Sequence, residues 1–404
     1  MTALDPSRRD ALVRAREYTK RNDWNALAAL RRELPTPLEP EALRLADDVA
    51  FALGQLRRHR DAILLVEQAF ALEPTWRRAS GLAYLHYAAA MCPPRDVPTD
   101  ARALSRDEAR EGFHRWIEDA LEREPGSIKD LYRLGVWNAQ VESAKDKPAL
   151  RAFLAAIERY RALPEAERAR RGDLTKVYVK ALYAGARSAL RLGRVALARR
   201  LAFACVRADA ATDHVAPVFR FDMAGRACAA AGELDHAERA FRLALDADGP
   251  PRRDYLYGRL ADVALRRGEP DAAAAWIERH TRAERRPAYL WRQLGDIHHA
   301  AGRLDEALAA WQAAVEQDRG GKHLTWTRIA AVHAARGDHR RAERTYRKAI
   351  DFARRRWSKD HRPALEGLAA IYRDRGKTEL ADKLLAPLAK APARRFERTG
   401  TEGR

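Results

Sequence analysis

The sequence contains few cysteines and has no long apolar run. Its three cysteines, Cys92, Cys205 and Cys228, include no CxxC pair, so the sequence supports neither a disulfide framework nor a cysteine zinc site. Charged residues interrupt every apolar segment before the about 20 residues that a membrane-spanning helix needs. Residues 1–18 also lack the apolar core of a secretory signal. We therefore expect a soluble, cytoplasmic protein with reduced thiols.

Signatures of catalysis are also missing. The sequence has no GxxxxGK[ST] phosphate loop, no HExxH helix, no GxSxG elbow and no GxGxxG fingerprint. The segment 320–322, Gly-Gly-Lys, resembles a fragment of a phosphate loop, but it lacks the upstream glycine and the hydroxyl residue, and we interpret it as a turn. His298 and His299 are adjacent, so on a helix they point about 100° apart and do not easily bind one metal ion. The sequence predicts no enzyme activity, no cofactor and no metal site.

Basic residues, in contrast, are abundant. The formal net charge is +19, and 64 of the 76 basic residues are arginine. A GC-rich genome and selection for an anionic partner both explain such a balance. The most basic region, 319–362, holds 14 Lys or Arg and 4 acids. Its centre is an arginine-rich stripe on one predicted helix, composed of Arg340, Arg341, Arg344, Arg347, Lys348, Arg354, Arg355 and Arg356, which Lys359 and Arg362 extend. The stripe at 340–362 suits either a solvated surface or the phosphates of RNA or DNA.

A glycine recurs through the second half of the chain at nearly constant spacing. The glycines are Gly232, Gly268, Gly302, Gly337 and Gly376, which are 36, 34, 35 and 39 residues apart. Eleven residues before each glycine stands a large apolar residue, and five residues after it stands an alanine. Such glycines end a helix and permit a tight turn, while the alanines let two helices approach closely. The pattern predicts consecutive helical hairpins.

The clearest copy of the repeat lies at 290–315. In phase it carries Trp291, Leu294, Gly295, His298, Gly302, Ala307, Trp311 and Ala314. This copy resembles the tetratricopeptide repeat family, although His298 stands where that family usually has tyrosine. The resemblance implies an all-α fold, a right-handed superhelical solenoid of antiparallel helix hairpins. Weaker copies upstream bring the expected number to about ten hairpins between residues 7 and 390, with no strand.

Interruptions of the pattern suggest a division of the chain. We predict an irregular N-terminal array at 1–163 with a Pro-rich insertion at 91–106, a joint at 164–176, and a regular array at 177–390. A longer helix is the alternative at the joint, because EAERARR consists of good helix formers. The polar segment 391–404 is expected to be a mobile basic tail.

The resemblance also implies that the first helix of each hairpin lines a concave groove. The residues that it places there are the aromatic Phe219, Tyr255 and Tyr289 and the charged Asp222, Arg226, Asp262, Arg292 and Asp296. An aromatic row flanked by mixed charge suits a protein or peptide partner, and the alternative is that the aromatics pack within the superhelix. We therefore expect a non-catalytic scaffold or adaptor, with RNA or DNA binding through the arginine-rich stripe as the alternative function.

A further hypothesis concerns the last hairpin. A solenoid exposes the apolar face of its final hairpin unless a cap covers it. Leu384, Leu385 and Leu388 lie in this hairpin, and only the basic tail follows them. The sequence therefore suggests self-association or partner docking at this end.

Overall fold

The computed structural model of the protein describes residues 6–93, 96–142, 145–249 and 253–390. Throughout these residues the secondary structure is helical and includes no β-strand, which confirms the predicted all-α class. The chain divides into two compact units, and the boundary along the chain lies between Glu233 and Leu234. The predicted tail, 391–404, lies outside the described residues.

Unit 1 is built from helical hairpins that follow one another along the chain. Its described helices are α1 (Pro6–Arg21), α2 (Trp24–Ala29), α3 (Leu43–Gln55), α4 (His59–Leu72), α5 (Trp76–Met91), α6 (Arg106–Arg123), α7 (Ile128–Gln140), α8 (Asp146–Ala162), α9 (Glu165–Arg170), α10 (Gly172–Arg191), α11 (Val195–Ala208) and α12 (Pro217–Ala230). The helix pairs α1/α2, α3/α4, α5/α6, α7/α8 and α10/α11 pack as hairpins. The Pro-rich segment 92–105 connects the two packed helices α5 and α6. The predicted joint contains α9 and the start of α10.

Unit 2 is also built from helical hairpins that follow one another along the chain. Its described helices are α13 (Leu234–Asp246), α14 (Asp254–Arg266), α15 (Pro270–Glu278), α16 (Ala288–Ala300), α17 (Leu304–Gln317), α18 (Lys322–Ala335), α19 (His339–Trp357), α20 (Arg362–Asp374) and α21 (Thr378–Lys390). The pairs α14/α15, α16/α17, α18/α19 and α20/α21 pack as hairpins, and each hairpin packs on the next. The division into an irregular and a regular array stays a prediction.

The recurrent glycines end helices as the sequence predicts. Gly302 has φ +75° and donates its N–H to the His299 carbonyl (3.0 Å), and the Arg303 N–H reaches the His298 carbonyl (2.9 Å). Nothing lies within 4 Å of the place that a Cβ would occupy on Gly302, so the left-handed backbone is what favours glycine here.

Two turns of unit 1 adopt this geometry without glycine. Arg57 has φ +60° and Asn22 has φ +54°. The Arg57 N–H donates to the Gly54 carbonyl (3.1 Å) and the Arg58 N–H to the Leu53 carbonyl (2.9 Å), which repeats the pattern at Gly302. The hairpin repeat therefore begins near the N-terminus, where the glycine spacing does not reveal it.

The tight contact between the two helices of a hairpin is clearest in α16 and α17. A Cβ on Gly295 would lie 2.3 Å from Cδ1 of Trp311, so the indole packs directly on the backbone of α16. Trp311 is buried and donates its Nε1–H to a carboxylate oxygen of Asp296 (3.0 Å). Gly295 and Trp311 thereby hold the hairpin together, as the sequence predicts.

A ladder of ion pairs links successive hairpins of unit 2. Its members are Arg267 with Asp235 (2.6 Å), Arg303 with Asp271 (2.6 Å), Arg336 with Asp305 (2.7 Å) and Arg375 with Glu343 (3.3 Å). In each pair an arginine at the turn of one hairpin reaches an acid near the start of a second helix about one repeat earlier. Each exposed pair contributes roughly 0.2–1 kcal/mol, so the ladder adds only modestly to the stability of unit 2.

Candidate interaction site

Large apolar side chains stay exposed at equivalent places on successive first helices of unit 2. Tyr289 on α16 is 43% exposed and Leu324 on α18 is 41% exposed. Tyr255 on α14 is half-buried. The three residues are spaced by one repeat, so each hairpin presents its side chain at the same point. We call Tyr255, Tyr289 and Leu324, with their charged neighbours, the first-helix face of unit 2.

The charged neighbours predicted for this face form ion pairs within the chain. Asp296 binds Arg328 (2.9 Å) in addition to the Trp311 indole, and burial raises the pKa of Asp296. Arg292 lies 3.5 Å from Asp318. One pair joins α16 to α18, the first helix of the next hairpin, and the other joins α16 to Asp318 in the turn between the two hairpins. A partner would therefore meet polar groups whose positions are already fixed.

The Asp318 carboxylate also holds the turn that precedes α18. It accepts the N–H groups of Gly320 (2.8 Å) and Gly321 (2.7 Å), and these hydrogen bonds with the charge of Arg292 keep the pKa of Asp318 low despite its burial. The Gly-Gly-Lys segment is thus a turn, as the sequence predicts. Asp262, the remaining predicted acid, is exposed on α14.

The predicted groove residues of α12 belong to unit 1. Phe219 is exposed, Asp222 is buried and Arg226 is half-buried, with 3.9 Å between the Arg226 guanidinium and the Asp222 carboxylate. The other predicted groove residues lie in unit 2. One groove that contains all eight residues stays a prediction.

Unit 1 contains a pocket that the sequence did not reveal. It lies between α3 and α5, has a volume of about 320 Å³, and is flanked by the exposed rings of Phe51 and Tyr84. The one available signal was the repeat phase. Counted back from Arg57, Phe51 occupies the place that Asp296 occupies before Gly302, but the repeat phase alone does not show that a pocket lies between α3 and α5.

The arginine-rich stripe lies on α19. All eight of its predicted cations are exposed, whereas Ala342, Tyr346 and Ile350 of the same helix are buried. Arg341, Arg347 and Arg354 pair with acids in the same region. Within the described residues, Arg340, Arg344, Lys348 and Arg356 have no ion pair, so this face of α19 is strongly positive.

His298 is part of the packing around the turn at Gly302. It is half-buried, its Nδ1 accepts the Nε–H of Arg303 (3.2 Å), and burial lowers its pKa. In the part of the chain that the structure describes, no group of three His, Cys, Asp or Glu side chains could hold a metal ion.

Three leucines of the final hairpin pack against its neighbouring helices. Leu384, Leu385 and Leu388 of α21 are partly buried against a cluster that includes Leu365 and Leu368 of α20. Self-association through this hairpin stays a prediction.

No helix in the described ranges is long and apolar enough to cross a membrane.

Comparison with known proteins gives a family match and several similar structures. Residues 287–355 match the family model described as tetratricopeptide repeat. No curated protein matches the chain.

Among solved structures, the C-terminal part of a repeat-containing protein from Cytophaga hutchinsonii is 18% identical, with 65% of this chain and 96% of that chain covered and a TM-score of 0.45. A tetratricopeptide repeat protein from Parabacteroides merdae is 14% identical, with coverages of 70% and 96% and a TM-score of 0.45. At these identities neither structure transfers a function. The matched segment contains α16, α17, α18 and most of α19, so these two hairpins match tetratricopeptide repeats, and similar hairpins recur along the described chain.

Proposed function

We propose that the protein is a non-catalytic cytoplasmic scaffold that binds a protein or peptide partner through the first-helix face of unit 2. The observation that carries this proposal is the exposure of Tyr289 and Leu324 at equivalent places of neighbouring hairpins. Large apolar side chains that the core leaves in water are typical anchors of an interface. Their one-repeat spacing suits a partner segment that runs across successive hairpins.

The ion pairs beside these anchors support a role in setting the register of the partner. Asp296 is tied to Arg328 and Arg292 to Asp318, so neither carboxylate is a bare charge. Such pairs contribute orientation and rate of association more than affinity. The anchors would supply most of the affinity.

Affinity capture from the native lysate tests this function. We expect the Tyr289→Ala, Leu324→Ala double variant to lose capture of the partner, because interface anchors contribute about 1–2 kcal/mol or more each. Leu243→Ala is the matched control, since Leu243 of α13 is also exposed but lies on a second helix. Retained capture by the double variant, with helicity intact in both variants, would move the interface elsewhere.

A second candidate function is association with RNA or DNA through the arginine-rich stripe. The observation in its favour is that Arg340, Arg344 and Lys348 are exposed and have no ion pair among the described residues. Phosphate binding by such cations weakens steeply with salt.

Titration with single-stranded RNA and duplex DNA at two salt concentrations tests the second candidate. We expect reversal of charge at Arg340, Arg344 and Arg347 to weaken binding and to flatten its salt dependence. Reversal at the exposed Arg239 and Arg279, away from α19, is the control. Equal affinity of the α19 variant and the wild type would reject nucleic-acid binding by the stripe.

A further inference from the structure

We propose that a pocket between the second helices α4 and α6 of unit 1 binds a small organic cation, namely a protonated amine that carries an apolar or aromatic group. We call this cavity the α4/α6 pocket, and its volume is about 450 Å³. Its walls come from α4, from α6 and from Leu104 of the Pro-rich segment, and His86 of α5 also lines it. The first-helix face of unit 2 contributes nothing to this pocket, so the proposal does not depend on that face.

Part of the α4/α6 pocket is apolar. Ile63 and Trp116 in its walls are buried, Leu104 is half-buried, and Leu64 is 49% exposed. A cavity of this volume holds a small molecule, and small-molecule sites typically combine apolar walls with a few polar groups. The apolar part of a ligand would cover Leu64 and remove it from water, which is favourable.

A buried histidine in the wall lacks hydrogen-bond partners. His86 is 6% exposed, and neither its Nδ1 nor its Nε2 has a partner among the described residues. Buried polar side-chain atoms are mostly hydrogen-bonded, so two unpartnered nitrogens on one ring require an explanation. Burial lowers the pKa of His86 to about 4, so the ring is neutral at pH 7 and one nitrogen is free to accept a hydrogen bond. A protonated amine would donate that bond.

Gly112 of α6 brings the histidine ring to the wall of the pocket. A Cβ on Gly112 would lie 2.1 Å from Cε1 of His86, 2.3 Å from its Nδ1 and 2.4 Å from its Nε2. The ring edge that carries both nitrogens therefore meets the bare backbone of α6, and a side chain at 112 would displace it. Glycine is unfavourable inside a helix, so this position favours the approach of His86 over the stability of α6. Both residues line the pocket, and an N–H group of a ligand would reach the ring past Gly112.

The charges in the walls favour a cation as the ligand. Arg60 and Glu108 line the pocket and bind each other (2.5 Å). Glu67 of α4, Glu111 of α6 and Arg115 of α6 form no ion pair with any residue that the structure describes. Two arginines and three glutamates leave these walls with a net charge of −1, although the whole chain carries +19. A monovalent cation would neutralise the pocket, whereas an anion would add to its negative charge.

Calorimetric titration of the full-length protein with three indoles of similar size tests the proposal. The probes are tryptamine, tryptophol and indole-3-acetate, which at pH 7 are positive, neutral and negative. We expect saturable binding of tryptamine and at least about tenfold weaker binding of tryptophol, because hydrogen bonds from a charged donor are the stronger ones. Indole-3-acetate should not bind measurably.

Variants of the two glutamates show whether the cation lies in this pocket. The Glu67→Gln, Glu111→Gln double variant should bind tryptamine at least about threefold more weakly and prefer it less over tryptophol. Neither side chain is buried, so the fold should be retained. Glu158→Gln is the matched control, since Glu158 of α8 is exposed and does not line the pocket, and it should bind tryptamine like the wild type.

The imidazole gives a direct readout of contact. In NMR spectra of protein with isotope-labelled histidine rings, tryptamine should shift the nitrogen resonances of His86, which are assigned by their loss in His86→Phe. That variant retains an aromatic ring but accepts no hydrogen bond, so tryptamine should bind it more weakly while helicity stays unchanged. Tyr289→Ala should bind tryptamine like the wild type, so failure of this proposal and failure of the function proposed for unit 2 are distinguished.

Four outcomes would overturn the proposal. They are no saturable binding of tryptamine, equal affinity for tryptamine and tryptophol, unchanged affinity in the double glutamine variant, and tryptamine binding that leaves the His86 resonances in place. The last two would assign the cation to another surface of the protein.

Discussion

Replacement of Gly295 by alanine is predicted to destabilise the hairpin of α16 and α17, although alanine is the better helix former. The added Cβ would lie 2.3 Å from Cδ1 and 2.4 Å from Nε1 of Trp311. Carbon atoms in favourable contact are about 3.5–4.0 Å apart, so the indole must move by more than about 1 Å. That movement strains the hydrogen bond from the Trp311 indole to Asp296 (3.0 Å).

The size of the effect follows from three contributions. Glycine to alanine in a helix interior is favourable by about 1 kcal/mol. Overpacking a filled core costs about 1–3 kcal/mol, and a buried polar group that loses its partner costs about 1–3 kcal/mol. We therefore expect a net loss of about 1–5 kcal/mol. Gly81→Ala is the matched control in α5, where the Cβ meets nothing within 4 Å and the variant should gain about 1 kcal/mol.

Hydrogen exchange of the amides in α16 and α17 is the appropriate measurement, because a repeat array need not unfold in one step. Faster exchange in these two helices is expected for Gly295→Ala, with α5 unchanged. Exchange in Gly295→Ala that is as slow as in the wild type would show that the indole repacks without cost, and the contact described here would not be what holds the hairpin together.

Three other predictions concern tight turns and buried polar side chains. Arg57→Gly should raise the free energy of unfolding in a denaturation assay by about 1 kcal/mol, because Arg57 has φ +60° and its exposed ion pair with Asp96 contributes little. Gly302→Ala should lower the free energy of unfolding by a similar amount in the same assay, because Gly302 has φ +75°. Burial lowers the pKa of His86 from 6.5 to about 4, so as the pH falls the unfolded chain binds a proton before the folded chain does. The free energy of unfolding should therefore decrease by up to about 3 kcal/mol as the pH is lowered from 6.5 to 4. In denaturant unfolding at these two pH values, His86→Leu should show a smaller decrease. Asp130→Ala should cost about 3 kcal/mol in thermal or denaturant unfolding, because the buried carboxylate binds Ser80, Ser127, Trp76 and Arg133.

The fold could be predicted where glycine marks the end of a first helix. In unit 2 the spacing of Gly268, Gly302 and Gly337 coincides with the turns of the structure. In unit 1 the chain makes the same turn with Asn22 and Arg57, whose side chains conceal the left-handed backbone. The boundary at 233 and 234 was also not predictable, because the helical repeat continues across it in the sequence.

The sequence predicts on which helices the residues of the candidate site lie, but it does not show that their charges are already paired. The repeat phase correctly locates Tyr289 on a first helix, but it contains no distance from Arg292 to Asp318 or from Asp296 to Arg328. These partners come from a turn and from the next hairpin, so only the packed structure shows that the charges are already paired. The pocket beside Gly81 depends in the same way on α3 and α5 lying side by side.

The ion-pair ladder of unit 2 has a consequence for how the array can change in length. Arg303 binds Asp271, and Asp235 stands in the equivalent place one hairpin earlier. Removal of one complete repeat, the 34 residues from 270 to 303, would take out Arg303 together with Asp271 and leave Arg267 with Asp235 and Arg336 with Asp305. Every arginine of the ladder that remains would keep its acid, so the array can lose a whole hairpin without leaving an unpaired ladder charge at the new junction.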